Sequence, residues 1–470
     1  MRISGLTKKI MLRGVIGLLF IGLVLSVTVN SGTSFAKAGI KWSPMTSRLL
    51  ADTYQLPAGA KEAVAQEGVK KIVAYNWGDL AFDPATVLNG KIFKDLTGVD
   101  IEFVGLPDEQ MYPKLQAVFM AKSPAVDVVP LDATLYVAFA KAGWLEPLDY
   151  LWDNNAWKEF SPGLKKALTV DGHVYSTPQC SRIVTALFYR PSMLKAAGFD
   201  APPKTWDEFD AMAKKLTKDT NGDGVIDQWG YAFSGGGVQD GAYSLMSSMY
   251  LLGEKLIQNN GKIKVNSKGA IKALDRLVKM RNEWKVVPPS VTAYQHGDTQ
   301  DLFKGGKVAM LIEPTSFFSE ISDKKSSAIA DDIAIAPQPV AYKGGPATNN
   351  LEINMWGVSR FSKAKNTASL FCDYYHSKQA AVNEFTMECN EPWMFAVLND
   401  SKVKSTLNEQ YLNVVKEALK DTRTEVYADQ GLANKIIIRE MQNALTGQKT
   451  AKKALDDAQA EIDQTVNKKN

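Results

Sequence analysis

Between residues 70 and 131 short apolar runs alternate with helical stretches, and nothing else in the sequence constrains the fold as strongly. Residues 70–75 (Lys-Lys-Ile-Val-Ala-Tyr) read as a buried strand, 82–98 as a helix closed by Gly98, 99–104 as a strand, 111–122 as a helix and 126–131 as another buried strand. Strands that succeed one another through helices run parallel, because the chain needs a crossover of about a dozen residues or more to return to the same end of a sheet. The spacing therefore predicts an α/β unit with helices on both faces. Ligands of such sheets sit beyond the carboxyl ends of the strands. Asn76, Trp77, Asp79 and Asp132 fall in that zone.

The second half repeats the alternation less regularly. Strands are expected at 184–189, 229–233, 308–312 and 333–336, and helices at 191–197, 241–252, 267–284, 364–376, 433–445 and 451–465. Thr205 reads as the N-cap of a further helix, with Glu208 three residues on as in a capping box. No repeat of 20–50 residues is visible.

Charge separates the N-terminus from the rest. Residues 1–36 hold Arg2, Lys8, Lys9 and Arg13 and no acid, so the net charge of +4 belongs to this segment. The other basic residues balance the 51 acidic ones. A balanced chain lacks the clustered basic excess that phosphate backbones need, which argues against nucleic acid. The basic stretch is followed by an uncharged run, Gly14 to Val29, and then by Ser34-Phe35-Ala36 and Ala36-Lys37-Ala38. This is the pattern of a cleaved signal peptide over 1–36, ahead of an exported protein. No cysteine follows the run, so a lipoprotein anchor is not expected. Residues 37–68 form a leader with one alanine-rich helical stretch, read as a wrap around a lobe, a partner-binding arm or a spacer.

Catalytic signatures are sparse. His173, His296 and His376 are far apart and none stands in H-E-x-x-H. There is no G-x-S-x-G and no P-loop spacing. Cys180, Cys372 and Cys389 are too few for a disulfide scaffold; a Cys372–Cys389 bridge and three buried thiols remain alternatives. One loop has ligand spacing: Asp219, Asn221, Asp223, the Val225 carbonyl and Asp227 occupy positions 1, 3, 5, 7 and 9 of a calcium loop. Gly230 stands where its bidentate Glu belongs, so a turn stapled by Asx side chains is the competing reading.

Five stretches carry a resemblance when taken in order. They are Ala142-Gly-Trp-Leu-Glu-Pro-Leu-Asp149, Leu187-Phe-Tyr-Arg-Pro-Ser-Met-Leu-Lys-Ala-Ala-Gly198, Thr205 to Leu216 with the Asp-rich loop after it, Phe303 to Met310, and Ala444 to Leu455. Their order and spacing resemble the sugar-binding family 1 of extracellular solute-binding proteins from bacterial ABC importers. The resemblance implies a two-lobed periplasmic-binding-protein fold of the class II type, each lobe a mainly parallel sheet flanked by helices. Lobe one then combines 69–188 with 336–388, and lobe two 189–335 with 389–466, with crossovers near 186–190 and 334–337. It further implies a monomer in the periplasm that binds a carbohydrate between its lobes, closes on it, and docks on importer permeases without a required cofactor. An exported glycan-active enzyme and a ligand-sensing receptor are the alternatives.

The resemblance also implies cleft positions. From lobe one these are Trp77, Asp79, Asp132, Gln179 and Arg182; from the glycine-rich loop and its helix, Gln239 and Tyr243; after the 308–312 strand, Glu313, Ser316 and Phe317; and beyond these Trp356 and Trp393. Sugars need planar polar groups for hydroxyls and aromatic plates for ring faces. Each position has a plainer reading: tryptophans as core, Asp132 as a helix cap, Arg182 as an ion-pair partner.

Overall fold

A computed structural model describes residues 40–468, apart from positions 44, 79, 161–162, 184, 426 and 428. The signal segment and Asp79 lie outside the described residues. Twelve strands are described. In chain order they are β1 (Lys71–Trp77), β2 (Asp100–Leu106), β3 (Val128–Leu131), β4 (Thr169–Val170), β5 (His173–Val174), β6 (Ser176–Ile183), β7 (Ala186–Tyr189), β8 (Trp229–Ala232), β9 (Val308–Glu313), β10 (Ala334–Pro337), β11 (Asn349–Val358) and β12 (Thr422–Arg423).

They form two principal sheets. The first has the order β12-β11-β3-β1-β2, with β6 also on β11; the second has the order β10-β7-β9-β8. β1 pairs in parallel with β2 and β3, as the helix-linked alternation requires. β11 runs antiparallel to β3 and β6, and β7 runs antiparallel to β9 and β10. The sheets are therefore mixed rather than mainly parallel. The strands that break the parallel rule are the ones that arrive from, or depart to, the other sheet. They have no crossover helix to fix their direction.

The chain passes from the first sheet to the second between β6 and β7, and returns between β10 and β11. Capping places the helices as the residues dictate. Asp83 accepts the Thr86 amide at 2.6 Å and precedes Pro84, while Gly98, with φ 76°, ends helix Pro84–Thr97. Thr205 Oγ1 accepts the Glu208 amide, but Glu208 reaches back to the Lys204 amide rather than to Thr205. Beyond 389, helix Glu409–Ala418 packs on β10, and helices Gln430–Leu445 and Ala451–Thr465 pack on the second lobe's helices. Helix Ser401–Thr406 instead packs on helix Lys378–Glu388 of the first lobe. The three cysteines are buried thiols without disulfides.

Of the leader readings, the described part, 40–68, adopts the wrap. Arg48 lies in helix Met45–Leu49 and binds Asp373 through Nε and Nη2, both at 2.9 Å, with side-chain exposures of 4% and 0%. The Tyr54 hydroxyl donates to the same carboxylate at 2.6 Å. Glu67 accepts the Asn366 and Thr367 amides at the start of helix Lys365–Tyr375. The leader is thus part of the first lobe's core.

Candidate functional site

The two sheets meet where β6 leaves the first lobe. Asn354 of β11 faces Cys180, yet the next residue, Met355, faces Pro178, so Gln179 is an extra residue in β6. Such a bulge breaks the ladder and re-aims a side chain. Gln179 is buried and donates to Asn76 Oδ1 at 3.3 Å, while its own Oε1 and the Asn76 Nδ2 have no hydrogen-bond partner. Glu391 joins the lobes nearby. Its carbonyl accepts the Ser181 hydroxyl at 2.7 Å, and its carboxylate accepts Tyr411 at 3.1 Å and Thr315, which follows β9.

A narrow cleft lies between the lobes at the carboxyl end of β3. Asp132 borders it from the first lobe, Tyr243 from the second, Asn350 and Glu352 from β11, and Thr424 and Glu425 from the turn after β12. Its free volume is about 10 Å³, room for about one water. Asp132 also caps helix Ala133–Lys141 by accepting the Leu135 amide at 2.8 Å. Tyr243 is carried by helix Val238–Tyr250, which starts immediately after the glycine loop. That loop needs glycine: a Cβ at Gly236 would stand 2.4 Å from the Ala293 carbonyl carbon. Asn350 is 3% exposed and its Nδ2 has no partner. Burial pushes the Glu425 carboxyl pKa up, against the opposing pull of Arg423.

The other expected positions stand elsewhere. Trp356 is wholly buried and meets Phe371 and Tyr375 edge-on, and Trp393 is 1% exposed in the same core. Trp77 is 9% exposed and belongs to that core too. In this conformation all three rings pack within the first core. Phe317 packs edge-on to Phe188. Glu313 is fully buried, and helix His296–Lys304 occupies its carboxylate: Thr299 donates at 2.6 Å and His296 stands at 2.5 Å. Ser316 lies in the turn Thr315–Phe317, where its carbonyl accepts Ser319. Arg182 faces Glu352 in the strand register, and Gln239 lies in the first turn of the Tyr243 helix.

Asn350, Glu352 and Glu425 were not anticipated. The alternation Asn350-Leu-Glu352-Ile-Asn354 is the period-two signature of a strand with one polar face, and it marks the first two.

Among the described residues no cluster of three or more His, Cys, Asp or Glu is gathered for a metal. In the Asp-rich loop Asp219 accepts the amides of Gly222 and Gly224, both at 2.7 Å, and Asp227 accepts both Thr220 donors. Asp223 and Asn221 bond each other and their neighbours. The turn is closed by its own side chains; Asp219, Asn221, Asp223, the Val225 carbonyl and Asp227 are the oxygens a calcium ion would use there.

Comparison with known proteins agrees with this architecture. A putative binding protein of Brucella abortus (strain 2308) is 25% identical over 323 residues, 69% of this chain and 70% of that protein. A mannitol-binding protein of Pseudomonas aeruginosa is 22% identical over 293 residues, 61% of this chain and 65% of its own. The maltose-bound structure of a T. maritima protein superposes with a TM-score of 0.71 at 24% identity, covering 84% of this chain and 99% of that one. The family model for bacterial extracellular solute-binding proteins matches residues 57–382. On that match, supported by two lobes with a cleft at their crossovers, the chain belongs to the bacterial extracellular solute-binding proteins.

Proposed function

We propose that this protein captures a carbohydrate or related polyhydroxy molecule between its lobes and delivers it, in the closed form, to the membrane subunits of an ABC importer. The observation that carries this reading is the interlobe cleft. Carboxylates and a buried, unpartnered amide border it from elements of the first sheet, Tyr243 closes it from the second lobe, and the chain crosses between the lobes twice beside it. A ligand that bonds both lobes only when they are shut favours closure by that difference in affinity. A handful of hydrogen bonds at roughly 1–3 kcal/mol each reaches a micromolar Kd, about −8 kcal/mol. Several relatives point the same way, since one is a mannitol-binding protein and others were solved with bound maltose or ribitol.

Export follows from the N-terminal signal, with cleavage after Ala36 or Ala38, and the mature chain acts as a monomer outside the cytoplasmic membrane. Mass spectrometry of the secreted chain tests the cleavage point. Among the described residues no helix is long and apolar enough to cross a membrane.

The cleft carboxylates Asp132, Glu352 and Glu425 favour one second reading, a glycan-cleaving enzyme. Incubation with sugars decides between them: saturable, stoichiometric binding without product supports the carrier, and turnover overturns it.

A further inference from the structure

Two lobes that close must turn about some part of the chain that joins them. Three stretches that carry the chain between the two sheets converge on Asn349. Thr185 lies in the crossover from β6 to β7, and Gln338 and Asn349 bound the crossover from β10 to β11. The third stretch runs from helix Glu409–Ala418, which packs on β10, to β12, which pairs with β11.

The Asn349 side chain bonds to all three. Its Oδ1 accepts the Thr185 hydroxyl at 3.0 Å and the Gln338 side-chain amide at 3.1 Å. Its Nδ2 donates to the Ala347 carbonyl at 2.9 Å and to the Ala418 carbonyl at 3.2 Å. A side-chain amide has two N–H donors and two acceptor sites, and all four are used here. The Asn349 backbone N–H donates to the Asp421 carbonyl at 2.8 Å, and the Thr348 hydroxyl donates to the Asp421 carboxylate at 2.7 Å. Thr185, Gln338, Thr348 and Asn349 are all buried, so breaking these bonds would leave polar groups without water to replace the lost partner. A group on the axis of a rotation is displaced least, and can keep its bonds while the lobes move around it. The next residue, Asn350, points to the opposite face of β11, as strand alternation requires, and borders the cleft. The node therefore stands one residue from the cleft without being part of its lining.

Resting on the binding reading above, we propose that Asn349 is the pivot of lobe closure. It is a positioning residue that touches no ligand, holds the three crossing stretches together in the open and closed forms, and confines the lobes to one path of rotation. A looser pivot widens the range of interlobe angles in the free protein. A ligand must then select the closed angle from a larger set, so affinity falls although no ligand contact has changed.

Double electron–electron resonance on the mature chain measures that range. The labels are placed by Lys141→Cys at the end of helix Ala133–Lys141 and Lys272→Cys in helix Lys268–Asn282, both exposed sites, one on each lobe. The three native thiols are buried. Ribitol, D-mannitol and maltose are the probes, with affinities read by calorimetry. Asn349→Ala should broaden the distance distribution of the free chain and weaken binding of whichever probe binds about tenfold, while Thr185→Val, which removes one hydroxyl, should do both to a smaller extent, about threefold in affinity. Asn89→Ala is the control: Asn89 is equally buried and bonded by Tyr374, Asn383 and Glu384, all inside the first lobe. It should lose stability and leave both the distribution and the affinity as in the parent. A folded Asn349→Ala with the parent's width overturns the pivot, and so does equal broadening in Asn89→Ala. Where Asn349→Ala does not fold, Thr185→Val decides by the same criterion. These outcomes are read on the free chain and stand whatever it binds. A parent distribution that none of the three probes shifts to shorter distances counts instead against the binding reading.

Discussion

Asp373→Ala should be among the most destabilising single changes in the first lobe. The carboxylate is 0% exposed and binds Arg48, itself 4% exposed, through two bonds of 2.9 Å, and it also accepts Tyr54 at 2.6 Å. Removing it leaves a guanidinium buried without its counter-charge, which costs about 3–5 kcal/mol. A unit of 150–250 residues shifts by roughly 2–4 °C per kcal/mol, so the first lobe should melt on the order of 10 °C lower. Urea denaturation measures the loss. Limited proteolysis should show cutting within residues 40–56 in the variant and protection in the parent, because the leader is held by this contact. The triple variant Arg48→Met/Tyr54→Phe/Asp373→Leu should recover most of the stability, since an apolar cluster of similar volume avoids desolvating two charges and leaves no buried hydroxyl without an acceptor. A leader cut as readily in the parent would refute the claim that it is part of the lobe; a loss below about 1 kcal/mol, or a leader still protected in Asp373→Ala, would refute the claim that this contact holds it.

Two other buried groups give pH tests of opposite sign. Burial pushes the Glu384 carboxyl up to about 8, aided by the nearby Asp83 charge and opposed by hydrogen bonds from Tyr375 and Asn390. Above about 4.5 the unfolded chain has lost this proton while the folded one keeps it, so stability falls with rising pH until about 8, by up to about 1.4 kcal/mol per unit. Glu384→Gln should flatten that slope in urea melts taken between pH 5 and 8; an unchanged slope contradicts it. His376 is wholly buried against Trp152, its ring nitrogens have no partner, and burial plus the Arg48 charge hold its pKa well below the usual value. The unfolded chain therefore binds a proton below about 6.5 that the folded one refuses, and stability falls as pH drops. His376→Phe should resist unfolding at pH 5 better than the parent and differ little at pH 8, read by the same melts.

Much of the framework was legible in the sequence, because it rests on local physics. Apolar runs between glycine and Asx punctuation marked β1, β2, β3, β9 and β10, and Asp83, Thr205 and Gly98 marked helix ends as caps do. β11 was missed because its polar residues broke the apolar run, although its alternation is that of a half-buried strand. Trp356 shows the same limit. The bulge opposite Asn354 and Met355 breaks the period of two, and Met355 and Trp356 are both buried. An aromatic motif identifies the strand but not the face. Of the expected cleft residues, Asp132 and Tyr243 border the cleft, whereas Glu313 is engaged by His296 and Thr299 through a contact only the fold creates. The Arg48–Asp373 pair spans 325 positions and has no local signal at all.

The central claim is that a small molecule shuts two lobes around itself. Small-angle scattering of the mature chain, titrated with the sugar or sugar alcohol that raises its melting temperature most, tests that directly. The account predicts a fall in radius of gyration that saturates at one ligand per chain and is weakened in Asn350→Ala. A ligand that binds tightly and leaves the radius of gyration unchanged at every ratio would contradict it.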